Sequence, residues 1–123
     1  MPVEDIFPIL PQEVVDYLLE QKQQEQQLSD EKKKLKEGML KLEDQIMLLD
    51  GRQDDELCTI TSANVYQKSN VGNVRDILVV RLSKSMDEYL KANRKLLKLH
   101  RQMRKDKEIV YNKWGNRSRV QLV

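Results

Sequence analysis

The chain has 123 residues, of which 34% are charged and 5% aromatic, and its formal net charge is +2 at neutral pH. So few aromatic side chains leave little material for a compact globular interior, and narrow apolar stripes along extended helices use such a composition better. The lone cysteine, Cys58, has no internal disulfide partner, and no apolar run approaches the roughly 18 residues that span a bilayer, so the composition points to an intracellular protein of nucleus or cytoplasm without a secretory or membrane segment.

Residues 1–10, MPVEDIFPIL, set Val3, Ile6, Phe7, Ile9 and Leu10 among prolines that forbid a regular helix, and they read as an extended apolar lead-in. It serves either as a helix entry device, with Ile9 stapled onto Val14, or as a docking segment that seats Ile6, Phe7 and Leu10 in a partner's groove. A first helix is predicted over residues 11–50, with Pro11 suited to its first position and Asp50-Gly51 as the stop. Leu28, Leu35, Leu42 and Leu49 recur every seventh residue, which makes Val14, Gln21 and these leucines position d of a heptad, and Leu18, Glu25, Lys32, Met39 and Ile46 position a. The seam is apolar at both ends and polar in the middle.

Residues 51–68 form the connecting tip. Asp54, Asp55 and Glu56 read as a solvated turn, and Leu57 to Thr61 is rich in strand formers, so a short strand or hairpin is expected there. A second helix is predicted over residues 69–115, starting near Ser69 or Asn70, with Leu82, Tyr89, Leu96, Met103 and Val110 at d and Val79, Met86, Asn93, His100, Lys107 and Trp114 at a. Leu78, Ala92 and Leu99 widen this stripe at g. Residues 116–123 are a tail that carries Arg117, Arg119, Val120, Leu122 and Val123.

The two halves of the chain differ in charge. Residues 1–61 hold 7 Lys+Arg against 15 Asp+Glu, giving −8, while residues 62–123 hold 15 against 5, giving +10. An acidic arm and a basic arm folded on each other would set opposite charges side by side and disfavour association of like arms. The basic run Arg94, Lys95, Lys98, Arg101, Arg104 and Lys105 lies mainly on the outer face of the second helix. It fits a solvated face, one that complements the acidic arm, or a phosphate-gripping surface; nucleic acid is weakly supported, because no aromatic residue interleaves with these charges.

No reaction chemistry is evident. His100 is the single histidine, without a metal-ligand cluster in the sequence around it, and Cys58 has no neighbouring histidine to activate it, so no catalytic, cofactor or metal site is expected. The fold class is therefore all-α: two long helices forming an antiparallel coiled-coil hairpin with a short strand or irregular tip at the connection. The expected function is that of a non-catalytic scaffold or adaptor subunit of an intracellular multiprotein complex, pairing with other coiled-coil subunits as a hetero-oligomer.

Leu28, Leu35, Met39, Leu42, Ile46 and Leu49 would carry partner binding on one helix, and Leu82, Met86, Tyr89, Leu96, Leu99, Met103 and Trp114 on the other, with Tyr89 and Trp114 as aromatic anchors. Asn93 is the register-setting candidate, since an inward amide tolerates few alternative pairings. Two long helices around a β tip resemble the small subunits of prefoldin, and Val65-Tyr66 followed by Val71-Gly72 is similar to that family's strand region. The resemblance covers most of the chain and implies a second reading, a chaperone subunit whose coiled-coil arms grip unfolded clients.

Overall fold

The computed structural model describes residues 10–62 and 65–115, with the backbone alone for residues 60–62 and 65–67. Its elements are helix α1 (Gln12–Leu49), strand β1 (Leu57–Ser62), strand β2 (Val65–Asn70), helix α2 (Val71–Val110) and a closing π-helical turn (Tyr111–Gly115). Ile6, Phe7, Ile9 and the tail at 116–123 lie outside the described residues. The helical hairpin with a strand tip is thus the fold, and the tip is an ordered two-stranded sheet.

Pro11 stands one position ahead of its expected place. Its carbonyl accepts from the N–H groups of Val14 and Val15 at 3.0 and 3.1 Å, so it caps α1 from just outside rather than filling the first helical position. At the other end Gly51 takes φ +83°, a left-handed conformation that suits glycine, and the Arg52 N–H donates to the Leu49 carbonyl at 3.2 Å. The second helix starts one residue after Asn70, whose Oδ1 accepts from the Asn73 N–H at 2.8 Å as an N-cap.

β1 and β2 pair antiparallel, with Leu57 opposite Asn70, Thr59 opposite Lys68 and Ser62 opposite Val65. The order of the sheet is β1-β2. Linker carbonyls then receive the first N–H groups of α2: Val71 N–H donates to Glu56 at 2.8 Å and Gly72 N–H to Asp54 at 3.0 Å. Gly72 lies so close to the linker that a Cβ there would come within 3.2 Å of Asp54 Cβ. Arg75 completes this junction, donating to Asp54 Oδ1 at 2.7 Å and to the Leu49 carbonyl at 3.0 Å.

The chain forms two compact units. The hairpin unit is Glu31–Ala92; the terminal unit contains the described parts of Met1–Asp30 and Asn93–Val123. In both, the α1 positions expected at a and d are covered: Val14, Leu18, Gln21, Glu25 and Leu28 in the terminal unit, and Lys32, Leu35, Met39, Leu42, Ile46 and Leu49 in the hairpin unit, are buried or half-buried, as are Val15, Ser29 and Gly38 beside them.

The seam of α2 is rotated by one residue from the expected assignment. Leu82, Tyr89, Leu96, Met103 and Val110 are covered as expected, but their partners are Leu78, Ser85, Ala92, Leu99 and Asp106. Of the residues assigned to a, Val79, Met86, His100 and Lys107 are exposed, and only Asn93 and Trp114 are half-buried. The cause is the relative hydrophobicity of two adjacent stripes, since Leu78, Ala92 and Leu99 bury more apolar surface at lower desolvation cost than Asn93, His100 and Lys107 would. Leu78 is 8% exposed and Val79 48%, which fixes the choice.

Candidate functional site

The described residues present exposed apolar side chains and strand edges, surfaces suited to association. In the hairpin unit the seam side chains of α1 are Leu35, Met39, Leu42, Ile46 and Leu49, and α2 supplies Leu78, Leu82, Tyr89 and Ala92. Lys32 adds its ammonium at 5.4 Å from the Tyr89 ring centroid, a cation–π contact that lets a cationic residue occupy a seam position while its stem packs. Beyond the seam the unit leaves Met47, Leu48, Leu57, Val80 and Met86 at least half exposed, Leu57 and Leu48 above 70%. Among the described residues, the outer edges of β1 and β2 have no further strand in the sheet. Backbone donors and acceptors of such edges are templates for strand addition, and a two-stranded ribbon is marginal without more partners.

The terminal unit fills its seam differently. Gln21, 5% exposed, lies within the seam and donates from Nε2 to Asp106 Oδ2 at 2.6 Å and to the Tyr17 hydroxyl at 3.0 Å. The Tyr17 hydroxyl donates to the same Asp106 oxygen at 2.7 Å, and Gln102 Nε2 donates to Asp106 Oδ1 at 2.9 Å. Three donors converge on one carboxylate.

Their hydrogen bonds, that of Tyr17 first, hold the Asp106 carboxyl below its ordinary range although partial burial opposes the shift, and the Asp106 bond pushes the Tyr17 phenol up. One turn away His100 Nε2 lies 2.8 Å from Glu25 Oε2, and Lys22 pairs with Glu25 Oε1 at 3.3 Å. Lys22, then His100, lowers the Glu25 carboxyl, with desolvation opposing. A seam satisfied by directional polar bonds accepts fewer registers than an apolar one.

Sequence spacing alone does not reveal this network. Gln21 falls in the expected seam, but Asp106 falls at g and Tyr17 outside the stripe, so no spacing rule connects them. The signal was present in the heptad: Asp106 is three residues after Met103 and four before Val110, a seam position once the stripe is rotated.

Among the proposed partner-binding residues, Leu28, Leu35, Met39, Leu42, Ile46, Leu49, Leu82, Tyr89, Leu99, Met103 and Trp114 are half-buried and Leu96 is buried. Met86 is set apart from them on an exposed face, 50% accessible. Asn93 is half-buried beside the seam, and Leu10 is half-buried ahead of α1. Cys58 is a free thiol, half-buried in β1.

The side-by-side neutralisation expected from the two charged arms is limited. His100 Nε2 meets Glu25 Oε2 across the two helices at 2.8 Å, an ion pair when the imidazole is protonated, while the Lys22–Glu25 and Arg52–Glu56 pairs are local. Most charged side chains occupy b, c and f positions, which a heptad turns away from the opposite helix. Among the described residues no group of three or more His, Cys, Asp and Glu is placed to hold a metal, and no helix is long and apolar enough to cross a membrane.

The crystal structure of the prefoldin beta subunit from Thermococcus strain KS-1 superposes with a TM-score of 0.76 at 14% sequence identity, covering 84% of this chain and 90% of that one. At such identity the likeness establishes the fold: two long helices with a small antiparallel strand pair between them, a prefoldin-beta-like hairpin. No protein-family model matches the sequence, and no curated protein matches it either.

Proposed function

We propose that the chain is a non-catalytic subunit of a prefoldin-like hetero-oligomer, joined to other coiled-coil subunits through its strand tip and apolar helix stripes, which holds unfolded polypeptide. The observation that carries this reading is the two-stranded hairpin between two coiled-coil helices, with both strands edge strands. An isolated ribbon of six-residue strands gains stability by extending its sheet with strands from neighbours. Exposed Leu48, Leu57 and Val80 in the same unit supply apolar area for a subunit packed against it. The fold shared with a prefoldin beta subunit supports assembly of this type, and the reading places the complex in the cytoplasm or nucleus.

Light scattering on the tagged chain purified from cells that express it tests the assembly. The expected particle has several times the mass of one chain, contains distinct helical subunits, and suppresses aggregation of a chemically unfolded client. A folded particle with the mass of one chain would overturn the reading. Assembly without client protection would instead indicate a scaffold that binds folded partners alone.

A further inference from the structure

We infer that the outer face of α2 in the terminal unit is a docking surface for an acidic polypeptide segment that brings at least one apolar side chain. Arg94, Lys98, Arg101 and Lys105 repeat at intervals of four, three and four residues, so they form one stripe about 16 Å long on the side of the helix turned away from its seam. All four are exposed, and no ion pair within the described residues engages them. From Tyr89 to Lys105 the sequence contains no Asp or Glu, and Asp106, next in line, points its carboxylate into the seam network. Fixed positive charge has therefore been concentrated on one face and left uncompensated by the chain's own acidic helix.

A second feature decides what kind of anion fits. Leu97 stands 48% exposed amid these charges, following Arg94 by three positions and preceding Arg101 by four and Arg104 by seven. The spacings of three and four make Arg94 and Arg101 its neighbours on the helix surface, and Arg104 lies two turns further along the same face. A phosphate backbone offers nothing to an exposed leucine, and no aromatic side chain stands within the stripe to stack a base. An acidic peptide with an apolar residue among its carboxylates satisfies both: guanidinium forks take the carboxylates in pairs while Leu97 receives the side chain. Charge complementarity of this kind speeds and selects encounters, and its contribution falls as salt rises.

The test uses the full chain and two labelled peptides, one with heptad-spaced glutamates around a central leucine and one with that leucine replaced by serine, read by fluorescence anisotropy. The first peptide is expected to bind at low ionic strength, more weakly as salt is raised, and more tightly than the second. R94Q/K98Q/R101Q should weaken it about tenfold or more, and L97S about fivefold. R81Q/K84Q, at exposed basic positions of the same helix outside the stripe, should leave affinity unchanged, and circular dichroism should show native helicity in every variant.

Equal affinity for both peptides, or affinity untouched by the R94Q/K98Q/R101Q and L97S substitutions, would overturn the proposal. Stronger competition by a duplex DNA of matched charge would assign the face to nucleic acid. A concentration-dependent dimer lost in the same variants would assign it to the acidic helix of a second copy. Either result overturns an acidic peptide as the occupant.

Discussion

From residue 31 to 92 the covered stripes are almost wholly apolar, with Leu35, Leu42, Leu49, Leu82 and Ala92, whereas the unit that holds the chain ends places Gln21, Glu25 and Asp106 at equivalent heptad positions. The first arrangement derives its stability from area removed from water and tolerates sliding. The second gains less from burial, but its Gln21–Asp106 bond at 2.6 Å and Tyr17–Asp106 bond at 2.7 Å exist in one register only. Strength is thus concentrated beside the strand tip and alignment in the terminal unit.

The largest expected effect comes from charging the apolar stripe. Leu42→Asp should cost about 3 kcal/mol or more through lost packing and an unpaired carboxylate, and Leu96→Asp a comparable amount. Both should lower the thermal midpoint by circular dichroism and, by opening the seam, prevent assembly in a pull-down; an unchanged midpoint would show that these side chains do not hold the seam. Leu78→Ser should cost about 2 kcal/mol while Val79→Ser stays within about 0.5, a difference that checks the rotated seam directly.

Smaller effects sharpen the polar side of the comparison. Asp106→Ala strands the Gln21 amide in the terminal unit and should cost about 1–2 kcal/mol, with amide exchange rising there before it rises in residues 31–92. Acid should act alike. Because the Asp106 carboxyl titrates lower in the folded chain than in the unfolded one, its stabilisation is present above the ordinary carboxylate range and lost as pH falls through its depressed value. Glu25 follows the same sign. Tyr17 has the opposite one: its raised phenol stabilises below the ordinary tyrosine range, and that contribution disappears as pH rises through the shifted value. In Asp106→Asn the acid-dependent loss should shrink, as read from melts over a pH series.

At the junction between the helices, Gly72→Val should cost about 1–2 kcal/mol, because its Cβ meets Asp54 within 3.2 Å while the Gly72 N–H must still reach the Asp54 carbonyl. Chevron kinetics would show whether the loss lies in unfolding or folding. Gly38→Ala, where nothing stands within 4 Å, should instead stabilise α1 by about 0.5–1 kcal/mol.

Heptad leucines made α1 legible almost to the residue, since Asp50-Gly51 supplied a stop and only the role of Pro11 shifted. The strand tip is legible from Leu57 to Thr61 and as a hairpin with Val65-Tyr66 opposite, although the end of its second strand is not, because Gln67 to Asn70 carry polar side chains that no alternation rule selects. On α2 the d positions were clear, yet two neighbouring stripes were both partly apolar, and choosing between Asn93 and Ala92 as an inward residue needed the packing itself. Tyr17, Gln21 and Asp106 stayed hidden for a different reason. Residues 85 to 89 positions apart meet only after the helices have paired, and no local spacing encodes that meeting.

Amide hydrogen exchange across β1 and β2, compared between the purified assembly and the isolated chain, tests strand-tip assembly most directly. Slow exchange in both strands within the assembly, and fast exchange in the isolated chain, is the predicted result. Equal protection in the two states would mean that neighbouring subunits do not extend this sheet, and would contradict the proposed mode of association.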